Sequence, residues 1–400
     1  LKDNLVVGLD IGTTKICALV ARLSEEGHLK ILSVGKCSSR GVRKGMVTDI
    51  EATSQAVKEA VTSAELSAGL KVKGVWVSIA GDHILAQDNR GFVKATGEDR
   101  TITAKDVEAV MEEASQLVLP PDREIIHVLP QQFTIDGQNL VKQPVGMKGT
   151  HLGVGVHVVT ASSAWRGNIE NCVRRAGYES EGVVLQSLAS AMATVHPEEE
   201  DLGVALVDIG GGTTDLAIFL REGLRFSRVI AVGGSHITSD IAVGLHTTRE
   251  KAEEIKLKYG FLSQATMRRK EKIRVEKIAG RGSYTVESKD LVRIIQPRVE
   301  EILELVEKEL TRSGYRELLS AGMVLTGGTS LLRGIRELAE DQLGLPTKIG
   351  QAHLEEFQEL TSPIYATVVG LVLYGIKRSE ELTSKERLGV RIKEWLKEFF

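Results

Sequence analysis

The apolar positions of the chain fall into recurring short runs broken by glycine turns. Residues 5–9 form one such run, Gly12-Thr13-Thr14 a turn, and Lys15–Arg22 a second apolar stretch. That pattern predicts a β-hairpin, not the strand-to-helix unit of a dinucleotide fold. Residues 48–68 carry a helical period with a polar start, and 74–81 (GVWVSIAG) returns to strand. From about 84 to 160 the texture changes. Short strands alternate around one helix, roughly 103–118, and Pro120, Pro121, Pro130 and Pro144 punctuate them. This stretch reads as a small inserted α+β domain. Residues 164–177 predict a helix, and 183–195 a strand running into an alanine-rich helix.

The opening pattern then restarts. Leu202–Asp208 predicts a strand, Gly210-Gly211-Gly212-Thr213-Thr214 a turn, and Asp215–Leu220 a strand. LDIGTTKICALV near the start and VDIGGGTTDLAIF from Val207 are two versions of one pattern, nearly half the chain apart. A duplicated hairpin predicts two similar domains facing one ligand. Residues 235–278 are dense in charges of both signs and read mainly as helix. Residues 290–312 predict a long amphipathic helix. Met323–Thr326 reads as a strand ending in Gly327-Gly328-Thr329, with a helix from about 331 and an apolar helix over 363–377.

The last part changes character again. Residues 379–386 are polar, as a tether would be. In 387–400, Leu388, Ile392, Trp395, Leu396, Phe399 and Phe400 recur at spacings that place them on one helical face. Arg387, Arg391, Lys393 and Lys397 add positive charge at the flanks. A helix of about fourteen residues is roughly 21 Å long. It is too short to span a bilayer but suited to lie in its interface. The competing reading is a helix docked on the protein's own core.

Composition narrows the classes. A chain of 400 residues is long enough for more than one core, and 42% hydrophobic with 26% charged residues is ordinary for a globular protein. A net charge of -3, from 51 basic and 54 acidic side chains, argues against a general nucleic-acid binder. Cys17, Cys37 and Cys172 are scattered and show no CxxC spacing. They point to neither a disulfide framework nor a zinc site, which fits a reducing cytosol. Asp10 cuts short the apolar run at 5–9, so no leader segment is expected there.

The glycine clusters carry the chemistry. Asp10 precedes Gly12, Thr13, Thr14 and Lys15; Asp208 precedes Gly210, Gly211, Gly212, Thr213 and Thr214. Glycine lets backbone N–H groups approach a phosphate closely, and threonine hydroxyls add donors. The aspartates would repel phosphate directly. They fit instead as water-mediated Mg²⁺ ligands. The third cluster, Gly327-Gly328-Thr329, follows a buried strand and would admit the flat adenosine part. Neither GxxxxGK[ST] nor a GxGxxG opening a strand–helix unit is present, which sets those two nucleotide folds aside.

These loops resemble the actin/Hsp70/sugar-kinase superfamily. Leu9–Ala18 is similar to its first phosphate loop, Val207–Ala217 to the second and Met323–Leu332 to the adenosine segment. Val184–Ala193 and Ser362–Gly375 are similar to its two hinge helices. Within the superfamily the chain resembles the FtsA family. The resemblance rests on the insertion at 84–160, on GGSHITSDIAVGLHTTREKAEEIKLKYG (Gly233–Gly260), and on the terminal RLGVRIKEWLKEFF. It implies an α/β, actin-like ATPase fold with two duplicated lobes around a nucleotide cleft. The implied layout is subdomain 1A at 1–83 and 161–198, inserted 1C at 84–160, 2A at 199–230 and 300–378, 2B at 231–299, a tether at 379–386 and a membrane-targeting helix at 387–400.

The same resemblance implies ATP and Mg²⁺ as ligands, with Gly233 and Gly234 joining the glycine loops around the nucleotide. Glu253 and Lys256, one helical turn apart, correspond to a pair that touches the ribose or base; a plain surface pair is the alternative. Gln186 stands where relatives place a residue that positions the attacking water, which implies slow hydrolysis; a hinge residue without a catalytic role is the alternative. Lys15 corresponds to a phosphate-reaching position, or pairs with Asp208 across the cleft. The implied partners are the FtsZ carboxy-terminal tail on 2B (with Arg249, Lys251 and Lys258 as candidate contacts), further copies in actin-like protofilaments, membrane lipids and later division proteins, with no nucleic acid. The implied location is the cytoplasmic face of the cell membrane at the septum. Two other readings remain: a PilM-like pilus-assembly protein, and a small-molecule kinase using Asp82 or Asp136 as base.

Overall fold

The computed structural model describes residues 5–24, 29–221, 223–262, 272–278, 282–352 and 357–386. The first lobe opens with β1 (Leu5–Ile11), β2 (Lys15–Leu23) and β3 (Leu29–Ser38), an antiparallel meander. A short hairpin of β4 (Val42–Arg43) and β5 (Met46–Val47) leads to α1 (Ile50–Ala68) and β6 (Gly74–Ile79). Helix α1 starts where the Asp49 carboxylate accepts the Ala52 N–H at 3.0 Å, a side-chain cap. Its Ala56, Val57, Ala60, Val61 and Ala64 recur at helical spacing and bury one face in the lobe's core.

The inserted domain follows: β7 (Leu85–Lys94), α2 (Ala104–Ser115), β8 (Arg123–Ile135), β9 (Gln138–Val141) and β10 (His151–Ser162). Its sheet runs β7-β10-β8-β9, and α2 lies over β7 and β10 with Val107, Val110 and Ala114 buried. The chain re-enters the first lobe through α3 (Ser163–Arg175), β11 (Glu179–Leu185) and α4 (Gln186–Thr194).

A short α5 (Pro197–Leu202) leads into the second lobe. There β12 (Val204–Ile209), β13 (Thr214–Leu220) and β14 (Gly223–Ile230) repeat the meander. Then come α6 (Gly234–Gly244), α7 (Arg249–Tyr259), β15 (Lys272–Glu276), β16 (Ser283–Glu287) and α8 (Ser288–Ser313). The lobe closes with β17 (Met323–Thr326), α9 (Ile335–Leu343), β18 (Thr347–Ile349) and α10 (Ala366–Glu386).

The two main sheets are ordered β3-β2-β1-β6-β11 and β14-β13-β12-β17-β18. In each, the first three strands are antiparallel and the fourth is parallel to the first. The duplication inferred from two glycine motifs therefore extends to whole sheets. Helices α4 and α10 cross between the lobes, so tightly that a Cβ on Gly370 would overlap the Ala189 carbonyl.

The inserted sheet also touches the second lobe. Asp88 on β7 bonds His157 Nδ1 at 2.8 Å, and His157 Nε2 lies 3.0 Å from Ser227 Oγ on β14. Arg225 Nη2 donates to the Gln131 carbonyl at 3.0 Å, while Gln131 Nε2 donates to Asp88 at 3.1 Å. His157, Gln131, Arg225 and Ser227 are all buried, so each polar group here needs a protein partner, and these bonds supply it.

Among the described residues the stretch 235–278 is mainly helical, in α6 and α7, and towards its end is strand β15, paired with β16. Ile273 and Val275 are fully buried there while Lys272, Arg274 and Glu276 face out, so a two-residue alternation lies within the charge-dense run. The polar stretch 379–386 is helical and continues α10. It holds Glu, Leu and Lys, good helix formers, and neither glycine nor proline breaks it. The apolar face at Leu388, Ile392, Trp395, Leu396, Phe399 and Phe400 lies outside the described residues. Among the described residues no helix is long and apolar enough to cross a membrane.

Candidate functional site

A cavity of about 410 Å³ lies between the lobes, at the turns of the two glycine hairpins. The hairpins close alike: Gly12 N–H donates to the Lys15 carbonyl at 3.0 Å, and Gly210 N–H to the Thr213 carbonyl at 2.9 Å. Of the sequence-predicted residues, Asp10, Gly12, Thr13, Thr14, Lys15, Gln186, Asp208, Gly210, Gly211, Gly212 and Thr213 line the cavity. So do Gly234, Glu253, Lys256, Gly327, Gly328 and Thr329. Gly233 and Thr214 do not. Gly233 precedes α6, and the Thr214 hydroxyl is spent on the Val232 carbonyl at 2.8 Å.

The two loops meet across the cleft. A Cβ on Gly211 would collide with Thr14, and one on Gly212 would collide with the Thr13 hydroxyl and approach Lys44 Cα to 2.9 Å. Only residues without side chains allow this approach. The second loop is tied to the first turn of α6: Gly234 N–H donates to the Gly210 carbonyl at 2.9 Å and Ser235 N–H to the Gly211 carbonyl at 2.7 Å. The Thr329 hydroxyl also donates to the Gly210 carbonyl, at 3.2 Å.

Asp10 ends β1 and accepts the Ser78 hydroxyl of β6 at 2.9 Å. Asp208 ends β12 and accepts the Ser190 hydroxyl of α4 at 2.6 Å, with Gln186 Nε2 and Thr367 Oγ1 each at 3.4 Å. Burial pushes both carboxyls above the ordinary range, and hydrogen bonds only partly offset it. Asp208 thus joins β12 to the two helices that cross between the lobes.

Lys15 lines the cavity but does not pair with Asp208: its Nζ donates to the Ile364 carbonyl and stands 5.0 Å from the centre of the Tyr365 ring. Glu253 and Lys256 do form one unit. They are 2.8 Å apart, and Lys256 Nζ also donates to the Gly234 carbonyl at 3.1 Å and the Thr238 hydroxyl at 2.9 Å. Lys256 is nearly buried, and desolvation lowers its pKa against the pull of Glu253. This cluster is a wall of the cavity, not a solvated surface pair.

Sequence reasoning missed several residues. Asp215, wholly buried on β13 directly opposite Asp208, accepts the Thr213 hydroxyl at 2.9 Å and is pushed well up by burial and by Asp208. The signal was present: a lone carboxylate in the apolar run TDLAIFL. Ser190, a hydroxyl in an alanine-rich helix, could have been found the same way. Gly45, Leu257, Leu331, Arg333 and Ile364 also line the cavity, and nothing in their local sequence marks them.

A cell division protein FtsA from Pseudomonas aeruginosa is 40% identical over 380 residues, 94% of this chain and 91% of the relative. The chain belongs to the FtsA family of actin-like cell-division proteins. Residues 205–370 match the family model described as cell division protein FtsA, and 81–160 match the SHS2 domain inserted in it. Among solved structures, a PilM–PilN type IV pilus biogenesis complex aligns with a TM-score of 0.66 at 20% identity, covering 93% of this chain and 98% of that one. MreB5 of Spiroplasma citri bound to ADP aligns with a TM-score of 0.56 at 17% identity, covering 96% and 99%. Both likenesses are of fold. The family's actin-like ATPase fold is a nucleotide-binding one, and the cavity lies between its two duplicated lobes.

Proposed function

We propose that this chain binds ATP with Mg²⁺ in the cleft, polymerises head to tail, and joins the FtsZ ring to the cytoplasmic face of the cell membrane at the division septum. The observation that carries the nucleotide reading is the convergence of two glycine hairpins, one from each lobe, on a cavity flanked by Asp10 and Asp208. The residues fit the ligands. Backbone N–H groups of Thr13–Lys15 and Gly211–Thr213 would hold phosphates. Asp10 and Asp208 would hold Mg²⁺ through water, and the cation would offset the burial of two carboxylates. Bound there, Mg²⁺ would neutralise phosphate charge. Glu253 and Lys256 would contact the ribose, and Leu257 and Leu331, exposed at the rim, would offer apolar surface to the base. Gln186 can orient a water but cannot take its proton, so hydrolysis would be slow. The likeness to an ADP-bound MreB5 supports a nucleotide in this cleft.

The partner reading rests on family membership. The implied layout, with 1C at 84–160 and 2B at 231–299, assigns the FtsZ tail to the 2B face. A second cavity there, lined by Thr248, Lys251, Arg274, Glu276 and Lys277, carries three cations against one carboxylate and supports a net basic seat for an acidic peptide, with Arg249 and Lys258 nearby in sequence. Filaments with the inserted domain in a subunit contact, recruitment of later division proteins, and a membrane helix at 387–400 complete the reading. Calorimetry on Asp10→Asn and Asp208→Asn tests its centre. Both substitutions should weaken Mg²⁺-dependent ATP binding, and unchanged affinity in both would sink the assignment.

A further inference from the structure

The hairpin between β4 and β5 was no part of the sequence-predicted site. Its two-residue turn is Lys44-Gly45, and both residues have positive φ, +49° and +76°. Turns of this kind match the twist of a hairpin but favour asparagine, aspartate and glycine at their two positions. A lysine held in the left-handed region is uncommon, one of six non-glycine residues with positive φ among the described residues.

The tip of this turn bridges the two phosphate loops. Gly45 N–H donates to the Thr13 hydroxyl of the first loop at 3.0 Å, and Gly45 lines the cavity. The backbone of Lys44 lies against Gly212 of the second loop: a Cβ there would stand 2.9 Å from Lys44 Cα and 3.0 Å from its nitrogen. The base of the hairpin is fastened. Thr48 and Asp49 N–H both donate to the Gly41 carbonyl, at 2.7 and 3.1 Å, and Asp49 caps α1. The turn is thus a fixed post at the phosphate end, not a loose loop.

Charge completes the argument. Among the described residues, the cations of the cavity wall have other contacts. Lys15 bonds the Ile364 carbonyl, Lys256 pairs with Glu253, and Arg333 bonds the Lys258 carbonyl at 3.3 Å. Lys44 is exposed, stands just behind the wall at the junction of both loops, and makes no hydrogen bond or ion pair among the described residues. We propose that the Lys44–Gly45 turn is a third phosphate-facing element of the cleft and that Lys44 recognises the outermost phosphate of a nucleoside triphosphate. A diphosphate, one phosphate shorter, would lack this contact, so the turn would make the cleft prefer the triphosphate.

This rests on the cleft being an ATP site, and the test separates the two claims. Affinities of the full-length protein for Mg·ATP and Mg·ADP are measured by calorimetry for wild type, Lys44→Ala and Lys44→Asn. Asparagine suits the left-handed turn, so Lys44→Asn keeps the backbone while removing the charge. Losing a charge-assisted contact should weaken ATP binding about tenfold or more while ADP affinity stays within about twofold. Melting of Lys44→Asn should match wild type. Equal effects on both nucleotides, or none on either, overturn the role of Lys44 and leave the ATP site standing. A wild-type protein that binds neither nucleotide overturns both.

Discussion

Replacing Gly212 by alanine tests whether the cleft must close loop to loop. The added Cβ would collide with the Thr13 hydroxyl and stand 2.9 Å from Lys44 Cα. Carbon atoms rest at about 3.5–4.0 Å, so the neighbours must retreat by roughly 0.5–1 Å. Gly212 has no positive φ, so alanine costs nothing in backbone strain. Thr13 and Lys44 belong to the first lobe and Gly212 to the second, so the way to relieve the clash is to part the lobes. Overpacking of this size costs about 1–3 kcal/mol. If that cost falls on the closed cleft, Mg·ATP affinity drops about 5- to 150-fold. The cores are untouched, so the nucleotide-free protein should melt near the wild-type temperature. Titration calorimetry and a melting curve suffice. Unchanged ATP affinity would refute the claim that nucleotide is gripped with the loops in contact. A large fall in the melting temperature of the nucleotide-free protein would place the cost in the fold instead.

Three other outcomes are expected. Gln186→Ala should keep nucleotide binding and lose most of a phosphate release that is slow to begin with; rapid release would mean that another residue positions the water. His127 is buried, accepts the Leu185 N–H at 3.0 Å, and has its pKa lowered from 6.5 to about 3 by burial and then by Arg378. Its folded pKa lies below its unfolded one, so its contribution is present above about pH 6.5 and is lost as the pH falls towards 3. Between pH 6.5 and 5 it should account for roughly 1.5 kcal/mol of lost stability, and His127→Gln should flatten a denaturation series by that amount; an unaltered slope would rule out a neutral His127. Trp395→Glu should release the protein from anionic vesicles in co-sedimentation without changing ATP affinity or the melting temperature; undiminished vesicle binding would remove 387–400 as the anchor.

The centre of the site was legible because it is written twice. Asp10 and Asp208 head matching glycine turns, and a repeated motif identifies a shared ligand even when each copy alone is a common turn. Helices such as α1 declare themselves through the spacing of Ala56, Val57, Ala60, Val61 and Ala64. What failed to show was contact between distant segments. Nothing local to Ser78, Thr367 or Gly45 says that each would arrive beside a hairpin loop. The contacts of Lys15 with Ile364 and Tyr365 likewise come from far along the chain. Strand β15 was hidden because three of its five residues are charged, and average composition outweighed the buried alternation of Ile273 and Val275.

The bonds from the inserted sheet to β14 have a mechanical consequence. A two-lobed protein joined only at its hinge helices is an open chain of rigid bodies, free to gape. Here a third body grows from the first lobe and is pinned to the second through His157–Ser227 and Arg225–Gln131. Three bodies joined in a ring form a closed linkage, in which no joint turns alone. Opening the cleft must either shear these buried bonds or swing the inserted sheet on its two attachments. A change of gape is then passed to the inserted sheet as a whole, and with it to the edge strand β9, which pairs with β8 just beyond the pin at Gln131. The outermost edge of the inserted domain is therefore a pointer whose bearing is set by the cleft.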